Sequence, residues 1–133
     1  MTRVFCDTSV LVRYFVGDDP PRSLAAARLV ESDVTLVVST AVILELAHVL
    51  RHDYGASNPA IGDGLIRFLS QPTVELSDAD RAATIAALQW SLRVSARRIP
   101  DAVIAAAAER AACDYIATFD EAFQSPSVPV RLA

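Results

Sequence analysis

Short apolar segments alternate with longer amphipathic segments along the chain. The segment from Val34 to Val38 is apolar and β-branched, which predicts a strand that is covered on both faces. Similar short segments predict further strands, and the segments between them have the length and composition of helices. The predicted strands cover residues 3–6, 34–38, 74–76, 115–118 and 128–132. The predicted helices cover residues 10–16, 23–31, 40–54, 58–70, 79–96 and 100–112.

This alternation predicts an α/β fold with a parallel sheet of about four to five strands flanked by helices, because parallel neighbours need crossover connections. The length of 133 residues fits one domain, and no repeat or linker divides it, so we expect a single domain over residues 1–133. In such sheets the functional site lies outside the carboxyl ends of the strands. Asp7 and Asp120 each follow a predicted strand, so both are expected at that edge.

Two further carboxylates stand out by their context. Glu45 is the only charged residue in the helical segment TAVILELA, and Asp101 stands at the start of an Ala-rich helix. A glutamate is rarely buried without a partner, so Glu45 is expected to face a cavity, a cation or a partner chain. Each acid also has a simpler interpretation: Asp101 as a helix N-cap, Asp7 and Asp120 as loop acids that bind local amides, and Glu45 as the partner of an arginine.

The composition restricts the chemistry that these acids can support. All 12 basic residues are Arg and Lys is absent, which excludes Schiff-base catalysis and the P-loop motif. If the carboxylates converge, no ammonium group can offset their repulsion, and a divalent cation is the natural solution. Oxygen ligands without thiolates favour Mg²⁺ or Mn²⁺. Such ions serve phosphate chemistry above all, so the residues predict metal-dependent phosphoryl transfer or phosphodiester hydrolysis.

Other residues carry weaker signals. Cys6 and Cys113 both lie among apolar residues and are predicted to be buried free thiols. His48 and His52 share a helix face but lack the glutamate of a zinc-binding HExxH motif, which favours ordinary surface or packing positions. Trp90 belongs to an apolar helical stripe and is expected in the core or at a dimer contact. No apolar run reaches the ~18 residues of a membrane span, so a soluble cytoplasmic protein is expected.

Four segments of the chain resemble the signature blocks of a known family. They are DTSVLVRYF, TAVILELAHVL, PDAVIAAAAERAACDYIATFD and the trailing EAF. In order and length they resemble PIN domains, and more narrowly the VapC-type toxins of bacterial toxin–antitoxin pairs. The resemblance implies a single Rossmann-like PIN domain and a Mg²⁺-dependent endoribonuclease, with Mn²⁺ as a possible substitute. It also implies a cognate VapB-type antitoxin, whose extended tail lies across the groove, and a homodimer.

The resemblance further implies the residues of the active site. The catalytic set corresponds to four acids: Asp7, Glu45, Asp101 and Asp120. The supporting polar positions correspond to Thr8, Ser9 and Thr118. On this hypothesis the three aspartates hold one or two Mg²⁺ ions and the glutamate orients the water that attacks RNA. The products would carry a 5′-phosphate and a 3′-hydroxyl. The predicted helices 40–54 and 58–70 are candidates for the antitoxin-facing surface.

The net charge of −4 is unusual for a protein that binds RNA. Arg93, Arg97 and Arg98 cluster just before Asp101 and are candidates for holding RNA phosphates, although a solvated helix face is the alternative.

Two other functions stay open. A metal-dependent phosphatase of the haloacid-dehalogenase type would need a second aspartate where Ser9 stands, and also a lysine. A catalytically silent PIN-like binding module is the other. A response-regulator receiver would need the missing lysine as well.

Overall fold

The computed structural model describes residues 2–94 and 98–132. Within these residues, helices and strands alternate much as the hydrophobic pattern predicts. The strands are β1 (Thr2–Phe5), β2 (Val34–Val38), β3 (Val74–Leu76), β4 (Ile116–Thr118) and β5 (Val130–Leu132). The helices are α1 (Thr8–Phe15), α2 (Pro20–Val30), α3 (Thr40–His52), α4 (Asn58–Leu69), α5 (Arg81–Val94) and α6 (Ile99–Arg110). No helix in the described part of the chain is long and apolar enough to cross a bilayer.

All strand pairs are parallel, which confirms the predicted α/β class. Strands β1, β2 and β3 form one sheet in that order, with Val4 opposite Leu36 and Leu36 opposite Val74. Strands β4 and β5 form a second sheet, with Ile116 opposite Val130. The five strands of the described residues therefore divide into two sheets instead of joining in one. A physical reason lies in β4, which has three residues and an exposed centre at Ala117, so little apolar area favours its pairing with β1.

Side-chain caps explain why two helices begin earlier than predicted. The Asp7 carboxylate accepts a hydrogen bond from the Ser9 amide at 3.4 Å, so α1 begins at Thr8. The Asp19 carboxylate accepts one from the Arg22 amide, so α2 begins at the following proline. A cap satisfies backbone N–H groups that have no partner inside the helix. Asp7 and Asp19 therefore each determine where a helix begins.

The main core lies between the three-stranded sheet and the helices that pack on it. Leu11 of α1, Leu36 of β2 and Leu46 of α3 are fully buried there. A smaller cluster of alanines joins α5 to α6 at Ala87, Ala102 and Ala106, and half-buried Trp90 packs against it. Trp90 is thus a packing residue, as its helical stripe indicates. Burial of α3 on one side fixes the position of its exposed side, which carries Glu45.

The end of α6 shows why one of the two cysteine predictions is wrong. Cys6 is buried as expected, but Cys113 is exposed. Ala112 has a φ of 57°, and the amides of Ala112 and Cys113 donate to the carbonyls of Glu109 and Ala108. This pair of bonds is a Schellman motif, which turns the chain out of the helix. The turn carries Cys113 away from the apolar face of α6.

We expect Ala112→Gly to raise the free energy of unfolding by about 0.5–1 kcal/mol, because glycine relieves the left-handed strain at this position. Urea denaturation provides the measurement. The matched control is Ala111→Gly: Ala111 has a φ of −76°, and there glycine is expected to lower stability by a similar amount. Equal losses in both variants would contradict the assigned strain.

Candidate functional site

A cavity of about 750 Å³ opens beside the carboxyl end of β1, between α1, α2 and α3. Its walls are largely apolar, with Val12, Leu29 and Val49 among the lining residues. Asp7 and Glu45 both line it. Two of the four predicted acids therefore share one concave site, on the edge of the sheet that the topology indicates.

Asp7 is held in place by its neighbour Ser9. The Ser9 hydroxyl donates to the Asp7 carboxylate at 2.7 Å, and the Ser9 amide donates to the same oxygen at 3.4 Å. These hydrogen bonds, the hydroxyl's first, lower the pKa of Asp7 below its ordinary value. The carboxylate is therefore ionised and oriented at neutral pH. Thr8 is buried behind it, while Asp7 itself is exposed.

Glu45 lies on the exposed side of α3 and faces the same cavity. Arg97 and Arg98 are the arginines that the sequence suggests as partners of Glu45, but Arg98 binds Asp101 instead, and Arg97 lies outside the described residues. The cavity interpretation of Glu45 therefore agrees with its position. Asp53, at the C-cap of α3, is a third carboxylate in the lining that the motif did not single out.

Asp101 occupies a different environment, in the first turn of α6. Its carboxylate accepts hydrogen bonds from the Arg98 guanidinium and from the Gln124 amide, both at 3.1 Å. Arg98 also donates to the carbonyl of Ala122. The pair is largely buried, with side-chain exposures of 22% and 14%. Asp101 and Arg98 thus fasten the start of α6 to the segment that follows β4.

Asp120 makes local contacts at the end of β4. Its amide donates to the Thr118 hydroxyl at 3.0 Å, and its carboxylate accepts from the Ala122 amide at 2.9 Å. These contacts agree with the simpler interpretation of Asp120 as a loop acid that binds local amides. Neither Asp101 nor Asp120 lines the cavity that holds Asp7 and Glu45.

The residues present fit a metal ion only in part. Asp7 and Glu45 supply the carboxylate oxygens that Mg²⁺ prefers. Over the described ranges, however, no group of three or more His, Cys, Asp or Glu side chains is arranged to hold a metal ion. Asp7 and Glu45 lie in the cavity, whereas Asp101 lies in the first turn of α6 and Asp120 in the turn after β4.

Comparison with known proteins decides the family. The family model of the PIN domain matches residues 4–128. The chain belongs to the PIN domain family. A crystal structure of VapC20 from Mycobacterium tuberculosis, described as a sarcin–ricin loop cleaving toxin, is similar at 20% identity and a TM-score of 0.43, covering 90% of this chain and 91% of that one. No curated protein matches this PIN domain.

The three arginines suggested for RNA binding have different surroundings in this PIN domain. Arg98 is occupied by Asp101 and the Ala122 carbonyl, whereas Arg93 is exposed in the last turn of α5. Arg97 lies outside the described residues. Of the two that are described, Arg93 is therefore the one whose side chain is exposed to solvent.

A polar network at the mouth of the cavity was not evident from the sequence. Arg13 donates to Asp18 at 2.9 Å, and the Tyr54 hydroxyl donates to the same carboxylate at 3.1 Å. Burial alone would raise the pKa of Asp18, but the hydrogen bonds from Arg13 and Tyr54 outweigh it and hold that pKa below the ordinary value. Burial and then Asp18 raise the pKa of Tyr54. Arg13 and Asp18 are only five residues apart, so their pairing is the one signal that the sequence offers. The contact with Tyr54, which is distant in the sequence, depends on the tertiary fold.

We expect Arg98→Gln to lower the free energy of unfolding by about 1–3 kcal/mol, because it removes hydrogen bonds to a largely buried carboxylate. Arg93→Gln, the exposed control, is expected to change it by less than about 0.5 kcal/mol. Thermal or urea unfolding of both variants provides the measurement. An Arg98→Gln variant as stable as the wild type, with weaker RNA binding, would instead support the phosphate-binding interpretation.

We expect Asp18→Asn to reduce stability at neutral pH and to have no effect in acid. Because folding lowers the pKa of Asp18, its contribution is complete above the pKa of the unfolded chain, about 3.9, and is lost as the pH falls through the folded value. Urea midpoints of the wild type and Asp18→Asn, measured from pH 7 downward, should begin to converge below about pH 4 and meet below the folded pKa. Asp63→Asn on the exposed face of α4 is the control. A stability difference that is independent of pH would contradict the network.

Proposed function

We propose that this PIN domain is a Mg²⁺-dependent endoribonuclease that acts as the toxin of a VapBC-type toxin–antitoxin pair. The observation that carries the proposal is the shared cavity of Asp7 and Glu45 at the carboxyl end of β1, in a chain whose PIN match spans residues 4–128. Mn²⁺ is the proposed substitute metal, since both ions favour oxygen ligands. Cytoplasmic RNA is the proposed substrate.

The residues of the cavity have separate tasks in this reaction. Asp7 would hold the cation, and Ser9 keeps Asp7 oriented through its 2.7 Å hydrogen bond. Glu45 would orient the attacking water by accepting a hydrogen bond from it. A bound Mg²⁺ supplies positive charge opposite the phosphate and makes water more acidic. Attack at phosphorus breaks the bond to the 3′ oxygen, leaving a 5′-phosphate and a 3′-hydroxyl.

Asp101 and Asp120 complete the proposed ligand set, with Thr8 and Thr118 as supporting residues. Both acids belong to the segment from the start of α6 to the turn after β4, and that segment must approach β1 for four carboxylates to meet. The outer edge of β1 has no strand partner within the described sheet, so it is the edge to which β4 could be added. It would exchange the Arg98 contact of Asp101 for the cation.

The proposed partners follow from the same assignment. A VapB-type antitoxin covers the groove beside α3 and α4, and the protein forms a homodimer. Arg93 is the exposed candidate for RNA phosphates, with Arg97 and Arg98 as the remaining members of that cluster.

One alternative function has a specific observation in its favour: a catalytically silent PIN-like binding module agrees with the separation of the two pairs of acids. No comparable observation supports the phosphatase alternative.

Cleavage of total cellular RNA by the purified protein, free of antitoxin, tests the proposal. With Mg²⁺ or Mn²⁺ we expect discrete fragments, and EDTA should abolish them. Asp7→Asn and Glu45→Gln should each slow cleavage by on the order of 100-fold or more, because Asp7 would hold the cation that offsets the phosphate charge and Glu45 would orient the attacking water.

The matched control is Asp33→Asn, which neutralises an exposed aspartate in the turn before β2, outside the cavity, and should cleave like the wild type. Intact RNA under every condition, from folded protein, would instead support the binding module. Cleavage by Asp7→Asn at the wild-type rate would overturn the assignment of the site.

A further inference from the structure

One face of the small β4–β5 sheet is exposed and aromatic. From Tyr115 to Phe119 the side chains alternate between exposed and half-buried positions, as the period of a strand requires. The exposed set contains Tyr115, Ala117 and Phe119. Phe119 is 85% exposed and Tyr115 is 45% exposed. Two large rings, one directly before β4 and one directly after it, therefore stand in water, where a folded chain normally avoids placing them.

Arg131 adds a cation to this face. In the parallel register Ala117 lies opposite Arg131, so the two side chains share one side of the sheet. The Arg131 guanidinium carbon lies 4.4 Å from the centre of the Tyr115 ring, a cation–π contact. None of the ion pairs found among the described residues involves Arg131. We call Tyr115, Ala117, Phe119 and Arg131 the β4–β5 face.

The size of the β4–β5 face limits what it can bind. From Tyr115 to Phe119 the face spans five residues, so it is about 13 Å long. A stable protein interface needs about 800 Å² on each partner, far more than this face offers. One or two nucleotide bases match its length. A base has a flat π-system that stacks on Phe or Tyr, and the phosphate beside it carries the charge that complements Arg131.

The position of Phe119 relates this face to the proposed active site. Phe119 directly precedes Asp120, and the Thr118 hydroxyl fixes the turn by accepting from the Asp120 amide at 3.0 Å. The Asp120 carboxylate in turn accepts from the Ala122 amide. Phe119 is therefore the exposed end of a turn that is ordered on both sides of it.

We propose that the β4–β5 face is a stacking platform for unpaired bases of single-stranded RNA, with Phe119 stacking on the base next to the cleaved phosphate. This inference rests on the proposed ribonuclease function and names the form of its substrate. Phe119 is a positioning residue, because it holds a base and not the reacting atoms. With one cation on the face, stacking dominates the affinity, so this contact depends only weakly on salt.

Binding of a short single-stranded RNA that contains 2-aminopurine tests this platform, in EDTA so that cleavage does not consume the probe. Stacking on a ring quenches the fluorescence of 2-aminopurine, and anisotropy of a labelled strand gives the Kd. We expect Phe119→Ala to weaken binding by about 5- to 150-fold and to remove the quenching. Phe119→Leu, which keeps apolar area without a flat ring, should behave like Phe119→Ala, and Phe119→Trp should restore binding.

Leu24→Ala is the matched control, since Leu24 is a 52% exposed apolar residue on α2. It should bind RNA like the wild type. Circular dichroism checks that each variant is folded. Unchanged affinity and quenching in Phe119→Ala would overturn the platform, and so would a Phe119→Leu variant that binds like the wild type. A change in self-association on light scattering, with RNA affinity unchanged, would assign the face to a second copy of the chain and also overturn it.

The same variants separate this inference from the proposed function. If the wild type cleaves RNA, and Phe119→Ala binds and cleaves equally well, the platform fails and the ribonuclease stands. If no protein cleaves RNA, but Phe119→Ala loses affinity and quenching, the ribonuclease fails and the platform stands. A KM raised by Phe119→Ala with little change in kcat would support the positioning role.

Discussion

The hydrogen bonds between Ser9 and Asp7 are the local interaction on which the candidate site depends. They begin α1 and hold a carboxylate at the cavity within three consecutive residues, directly after the end of β1 and Cys6. A negative charge at a helix N-terminus is favoured by the helix dipole as well as by the capping bonds. The position of Asp7 is therefore set by secondary structure, and the exposed carboxylate needs no support from the core.

Glu45 reaches the same cavity through a different constraint. It is an exposed residue on a helix whose next two positions, Leu46 and Ala47, are buried. Packing of that apolar stripe fixes the rotation of α3 about its axis, and with it the direction of Glu45. One acid is thus positioned by a turn and the other by the core.

The sequence predicted those features that depend on local rules. Strands β2 and β3 have the predicted bounds, and the carboxyl end of β1 is lined by Asp7 as the topology implies. Helix starts at Thr8 and Pro20 were missed because the caps that set them precede the apolar residues on which the pattern relies. Cys113 was placed wrongly because a left-handed Ala112 is invisible in hydropathy. The division of the strands into two sheets depends on which strands pair in the tertiary fold, and the hydrophobic pattern of one sequence does not reveal this pairing.

The two cysteines differ in solvent exposure, and this difference allows one of them to be labelled selectively. Burial, with a smaller effect from Asp7, raises the pKa of the Cys6 thiol, so little of the reactive thiolate is present there. Cys113 is exposed, two residues before Tyr115. Since the chain has two cysteines and no lysine, a maleimide dye would label Cys113 selectively, and amine reagents would find no lysine side chain. A single fluorophore can therefore be attached beside the aromatic face without engineering the sequence.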